Sequence, residues 1–256
     1  MTPATERLKL IVAYDGRGFA GWQSQAKRDG VQDAIEAAFA KICGVDIRLH
    51  GSGRTDSGVH ALAQCAHADV PRGKHLPKVW MAALNANLPP LVRVVRASRV
   101  PGQPGTRDGF HARYDAKGKR YVYRLWNEPW LHPLEIGRAW HVPLPLDLAV
   151  MREAAAQYLG RHDFAAFAAN RGQEETDTVR SITRAEVARK GSLYTLTFEG
   201  DGFLYKMVRM LTGTVVRIGQ GRAELRLIPD LLSGKGKKKT QFAAPPDGLY
   251  LAKVFY

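Results

Sequence analysis

The sequence predicts an α+β fold of two βαββαβ subdomains sharing a mainly antiparallel sheet, with helices on one face. Three observations carry this expectation. Strand-like and helix-like hydrophobic periods alternate in the order β-α-β-β-α-β, and that order occurs twice along 256 residues. A stretch of Pro-Gly, Pro-Gly and Asp-Gly pairs, residues 101–109, separates the two passes. A chain of this length is also large enough to fill two small cores.

The first pass opens with a β-rich run over 8–14, ended by Asp15-Gly16. A loop with aromatic and amide groups follows, Phe19-Ala20-Gly21-Trp22-Gln23-Ser24-Gln25. Val31, Ile35, Ala38, Phe39 and Ile42 recur at helical spacing, and Gly44 supplies the stop. Strands are expected over 46–50 and 62–70, on either side of a glycine-rich loop. Pro77 starts a second helix with Trp80, Ala83, Leu84 and Leu88 on one face, closed by Pro89-Pro90. Residues 91–100 alternate well enough for a fourth strand.

The second pass begins with a strand over 120–127. Asp147 caps a helix bearing Leu148, Met151, Ala155, Tyr158 and Leu159, stopped by Gly160. Residues 181–189 and 193–200 form a hairpin around Lys190-Gly191-Ser192. Leu204, Val208, Leu211, Val215 and Ile218 make the stripe of another helix, which Gly219 and Gly221 close before a final strand over 249–256. This order is the ferredoxin-like split βαβ unit, an antiparallel sheet backed by helices. The linker sets the expected subdomains at 1–108 and 109–256. Two such units on one sheet would meet at a cleft, which the glycine-rich loop of the first unit is placed to face.

Composition narrows the class of ligand. Lys and Arg number 38 against 24 Asp and Glu, a net charge of +14, which suits a polyanion whose counterions are released on binding. Two cysteines, Cys43 and Cys65, are too few for a disulfide framework or a zinc cluster, and both read as small core residues. The eight histidines show no metal-ligand spacing, and His60 and His111 are best explained by hydrogen-bonded structural roles. With no long apolar span and a polar start, the protein is expected to be cytoplasmic. Lys235-Gly236-Lys237-Lys238-Lys239 reads equally well as a solvated loop or as an RNA-backbone contact.

The stretch with most chemistry is Gly51-Ser52-Gly53-Arg54-Thr55-Asp56-Ser57-Gly58-Val59-His60-Ala61. Its glycines let the backbone turn sharply, yet a plain hairpin has no use for an Arg-Thr-Asp core. The plainer account is a loop in which Asp56 caps its own backbone and Arg54 is solvated. The order of residues favours a functional one. The segment closely resembles the G-R-T-D-x-G-V-H-A signature of the TruA family of tRNA pseudouridine synthases, with Ser57 where many members carry Ala.

That resemblance extends over nearly the whole chain. Tyr14-Asp15-Gly16 through Gly21-Trp22-Gln23 is similar to the family's opening motif, and Leu84-Asn85-Ala86-Asn87-Leu88-Pro89 to its N-x-x-L-P helix end. Phe110-His111-Ala112-Arg113, leading into Lys119-Arg120-Tyr121-Val122-Tyr123, resembles its second catalytic motif. Gly160-Arg161-His162-Asp163-Phe164, then Phe203 to Arg209, then Gly248-Leu249-Tyr250-Leu251 follow in family order. The resemblance implies the pseudouridine synthase fold, with the active site between two α/β subdomains. It implies that Asp56 is the catalytic residue, that Arg209 is the cation keeping it charged, and that Arg54 contacts RNA near the displaced nucleotide. Tyr121 is implied to stack on the target uracil, as a flat ring can at roughly 1–3 kcal/mol per base. Tyr123 and Trp126, in the same basic and aromatic stretch, are expected to pack the sheet.

Isomerising uridine breaks the bond from ribose to N1, turns the base and rejoins ribose to C5. The reaction is redox-neutral with no net hydrolysis, so no cofactor and no metal are expected, consistent with the lack of a phosphate-cradling P-loop or HExxH motif. Asp56 would act either as nucleophile or as the base that removes the ribose C2′ proton. The resemblance further implies tRNA as partner, the anticodon stem-loop (tRNA positions 38 to 40) as target, and a homodimer. The rival is a non-catalytic tRNA-binding module. A glycosidase that leaves an abasic site would share the first chemical step.

Overall fold

The computed structural model describes residues 4–102, 106, 108–170, 177–233 and 239–256. Contacts divide the chain into two compact units, Met1–Lys117 with Leu251–Tyr256, and Gly118–Tyr250. The last strand thus starts in one unit and ends in the other.

The first unit runs β1 (Thr5–Tyr14), α1 (Val31–Cys43), β2 (Leu49–Gly51), β3 (His60–Pro71), α2 (Pro77–Asn87) and β4 (Val92–Val100). β1 lies between β4 and β3, antiparallel to both, and β2 pairs with β3. Helix α1 therefore leads from β1 to a strand that is not its neighbour, the arrangement of a split βαβ unit. Leu8, Leu10 and Val12 are buried on the face that carries the helices, and Phe39 of α1 meets Trp80 of α2 with ring centroids 5.8 Å apart. On the opposite face, Arg7 forms a paired contact with Asp69 at 2.8 and 3.0 Å and donates to the Phe110 carbonyl at 3.1 Å. That clamp ties the segment beyond β4 across the sheet.

β1 begins at Thr5 rather than 8, and two further boundaries differ from the expected ones for local reasons. The second strand begins at Leu49 rather than 46, because the Leu49 N–H donates to the Glu36 side chain at 2.9 Å instead of to a neighbouring strand. The third begins at His60 rather than 62, since a bulge between Val12 and Tyr14 brings Tyr14 opposite Ala61.

The second unit contains β5 (Gly118–Trp126), β6 (Trp140–His141), α3 (Leu148–Ala156), β7 (Gly160–Asp163), β8 (Val179–Lys190), β9 (Leu193–Gly200), α4 (Met207–Gly219), α5 (Leu227–Leu232) and the start of β10 (Leu249–Phe255). β9 pairs antiparallel with β5 and β8, β7 antiparallel with β8, and the two-residue β6 parallel with β5. Asp147 caps α3 through the N–H groups of Ala149 and Val150, as expected. Helix α4 starts at Met207, because Lys206 takes a left-handed conformation with φ 58° and breaks the stripe that Leu204 would have begun. Tyr123, Tyr158, Phe164, Phe167 and Phe198 fill the core. The β6, β7 and α5 elements are additions to the expected order.

Cys65 is fully buried, but Cys43 is only half-buried, a correction to its reading as a core residue. It is the last residue of α1, at the rim where Lys74 donates to the Ile42 carbonyl at 2.9 Å. Burial pushes both thiols up, so neither is primed as a nucleophile. No helix among the described residues is long and apolar enough to cross a membrane.

Candidate active site

Residues 52–59 join β2 to β3 and carry Arg54 and Asp56. Both ends of the loop are fixed to β3. The Ser52 N–H donates to the Cys65 carbonyl at 2.8 Å, and its hydroxyl donates to Gln64 Oε1 at 2.6 Å. Gln64, fully buried, returns a bond from Nε2 to the Gly53 carbonyl at 2.9 Å. The far end closes as a turn in which the Val59 N–H donates to the Asp56 carbonyl at 3.1 Å, with Gly58 at φ 78°.

The middle of the loop is held by the segment after β1. The Trp22 N–H donates to the Thr55 carbonyl at 3.1 Å, and the Tyr14 and Thr55 hydroxyls lie 2.8 Å apart. Ser57 donates to the Phe19 carbonyl at 3.2 Å. Gly21, at φ 109°, sits so close that an added Cβ would lie 2.5 Å from the Thr55 carbonyl oxygen. The opening motif is therefore the cradle of the Asp loop. His60 is 2% exposed and its Nδ1 accepts from the Gly16 N–H at 3.1 Å, a hydrogen-bonded structural role. Asp56 itself is half-buried, whereas Arg54 is exposed and donates from Nε to Gln23 Oε1 at 3.3 Å.

Tyr121 lies on β5 opposite Phe198 of β9 and is 8% exposed. Phe203 approaches its ring edge-on, with centroids 5.1 Å apart and planes at 80°. Tyr123 is fully buried and donates to the Pro245 carbonyl at 2.6 Å, so it packs the sheet. Burial pushes its phenol well up, only partly countered by the Arg209 charge. Within the same stretch Arg120 pairs with Glu199 at 2.7 Å and Arg124 with Glu135 at 2.8 Å. These two arginines of the basic stretch therefore have carboxylate partners within the unit.

Arg209 stands in the first turn of α4, which has no acidic residue. A cation there opposes the helix dipole, so it needs another reason to stay. Its Nε donates to the Ala244 carbonyl at 2.7 Å, and its own carbonyl accepts from the Ala244 N–H at 3.0 Å. Lys235, Lys237 and Lys238 lie outside the described residues; Lys239 donates from Nζ to the Ala168 carbonyl at 3.1 Å.

Three histidines that spacing had not connected come together on the first unit. His67 stacks on His50 with centroids 5.0 Å apart and meets His111 at 4.6 Å. The Nδ1 of His67 accepts from the Ala112 N–H and that of His111 from the Arg113 N–H, each at 3.1 Å. Among the described residues no three His, Cys, Asp or Glu side chains converge as metal ligands. Gln64 and the Tyr14–Thr55 pair were not singled out from sequence, since no local pattern marks them.

Comparison with known proteins is consistent along the chain. A family model described as tRNA pseudouridine synthase matches residues 10–115 and 154–256. A protein named tRNA pseudouridine synthase A from Akkermansia muciniphila is 44% identical over 257 residues, covering 98% of this chain and 95% of its own. The protein of the same name from Methylacidiphilum infernorum is 43% identical, covering 100% and 98%. That from Nitrobacter winogradskyi is 39% identical, covering 98% and 95%.

Proposed function

The chain belongs to the tRNA pseudouridine synthase family, enzymes that isomerise uridine to pseudouridine in tRNA, and from that premise we propose that Asp56 carries the reaction. What supports this is the state of its loop. Hydrogen bonds from β3, Tyr14 and Trp22 fix the loop before Asp56, and after it the Val59 turn and the Ser57 hydroxyl on the Phe19 carbonyl do so. A loop held this way presents Asp56 with little backbone ordering left to do. Asp56 acts as nucleophile or as base at the ribose, Arg209 supplies the counter-charge, Tyr121 stacks on the uracil and Arg54 contacts the RNA nearby. No cofactor enters the scheme.

The proposed target is the anticodon stem-loop and the proposed setting cytoplasmic. We also propose a homodimer. Trp130, Leu134 and Ile136, at 84%, 69% and 57% exposure within one short segment after β5, supply apolar surface of the kind a second subunit covers. A tRNA-binding module without chemistry is not favoured, because the relatives are named as synthases.

The test uses Asp56→Ala, Asp56→Asn and Asp56→Glu, with melting, tRNA binding and pseudouridine mapping on each. Ala and Asn variants should bind tRNA and form no pseudouridine. Glu keeps the charge but shifts it, and a displacement near 1 Å costs about 10²-fold. Substantial turnover by a well-folded Asp56→Ala protein would sink the assignment.

A further inference from the structure

The polar contacts behind Arg54 run in one direction. Glu36 on α1 presents Oε1 to Gln32 Nε2 at 2.8 Å and to the Leu49 N–H at 2.9 Å, and its Oε2 lies 3.6 Å from Arg48. An ionised carboxylate only accepts, so the Gln32 amide must turn its NH2 toward it. The same NH2 donates to the Leu49 carbonyl at 3.1 Å, which confirms the orientation.

Gln32 Oε1 consequently faces the other way, where it accepts from the Ser24 N–H at 3.0 Å and from Gln23 Nε2 at 2.9 Å. That bond commits the NH2 of Gln23 and leaves its carbonyl to meet Arg54 Nε at 3.3 Å. Each amide is oriented by the one before it. The chain starts at a helix carboxylate, passes through Gln32 at 2% exposure, and ends on an exposed guanidinium.

We infer that Gln23 and Gln32 are positioning residues that hold Arg54 in the pose it uses on tRNA. Binding at Nε leaves the two terminal amino groups for a phosphate or base, the face suited to bidentate contact. A freely rotating arginine on a glycine-rich loop would have to be ordered on each encounter; here the ordering is done beforehand. This inference rests on the reading of Arg54 as an RNA contact. It adds residues to the site that touch no substrate and belong to none of the reacting groups.

The experiment is a double-mutant cycle on pseudouridine formation in unmodified tRNA transcript, with kcat and KM measured for wild type, Gln23→Ala, Arg54→Ala and the double variant. Gln23→Ala should raise KM roughly three- to tenfold, the scale of one ordinary hydrogen bond, as suits a solvent-exposed contact at 3.3 Å, with kcat nearly unchanged. In the Arg54→Ala background the same change should have no further effect. Gln32→Met should behave likewise with a smaller rise, and if it does not fold the Gln23 cycle decides alone. A merely structural role would lower kcat and persist when Arg54 is absent, so additive losses overturn the inference, as does a Gln23→Ala protein with wild-type KM. If Arg54→Ala itself leaves KM unchanged, the RNA-contact reading falls and the relay falls with it; additive losses beside an impaired Arg54→Ala remove the relay alone.

Discussion

The hydroxyl of Tyr14, at the end of β1, lies 2.8 Å from the hydroxyl of Thr55, the residue before Asp56. The two are 41 positions apart, and the bulge at the end of β1 sets Tyr14 opposite Ala61, just past the loop. Tyr14 also meets the Trp22 ring, with centroids 5.9 Å apart, so one side chain joins the first strand, the segment around Trp22 and the Asp56 loop.

Tyr14→Phe should therefore destabilise the fold by about 1 kcal/mol, the usual worth of one buried hydrogen bond. Its effect on pseudouridine formation should exceed that on melting and fall mainly on kcat, because what loosens is the backbone carrying Asp56. Thr55→Val should behave similarly, and the two changes together should cost little more than either. Equal, additive losses in KM would contradict the bracing role.

Tyr121→Phe keeps the ring, so substrate binding should survive while any step that uses the hydroxyl slows. Tyr121→Ala loses the stacking face, roughly 1–3 kcal/mol, and should impair productive placement of the uracil. Wild-type turnover by Tyr121→Ala would remove the stacking assignment.

Binding of tRNA should weaken steeply with salt, close to linearly on a log–log plot, given a net charge of +14. Arg120 and Arg124 are paired with Glu199 and Glu135, so their neutralisation should change the slope less than that of the exposed Arg113. A flat response to salt would contradict phosphate binding.

The histidine cluster predicts acid sensitivity. Burial, helped by His111, His50 and Arg7 and opposed by Asp69, pushes His67 down to about 3. Burial and Arg48 also lower His50, against the pull of Asp69 and Glu36. The unfolded chain protonates His67 below about pH 6.5 while the folded one resists until about pH 3, so this contribution to stability is full above pH 6.5 and is lost toward pH 3, with His50 acting in the same direction. One such group contributes up to about 1.4 kcal/mol per pH unit across the window. His67→Gln, which can still accept from the Ala112 N–H, should flatten the fall in melting temperature between pH 7 and 5. An unchanged slope would show that other groups dominate.

The order of the principal strands and helices, β6, β7 and α5 apart, was legible along the chain, because periodicity and caps such as Gly44 and Asp147 are local signals. The sequence also carried the Asp56 loop, since loop chemistry of this kind is written in consecutive residues. Which side chains meet across strands is set by register and packing. Tyr14 with Thr55, Gln64 with Gly53, the amide relay from Glu36 to Arg54 and the stacked His50 and His67 depend on register and helix placement. Apart from the i,i+4 contact of Gln32 with Glu36 on α1, no spacing along the chain encodes these, because a shift of one residue in a strand would turn its side chains to the other face. The early start of β3 and the short β2 have the same origin: a bulge and a side-chain acceptor for Leu49 outweigh the local β-propensity of residues 46–48.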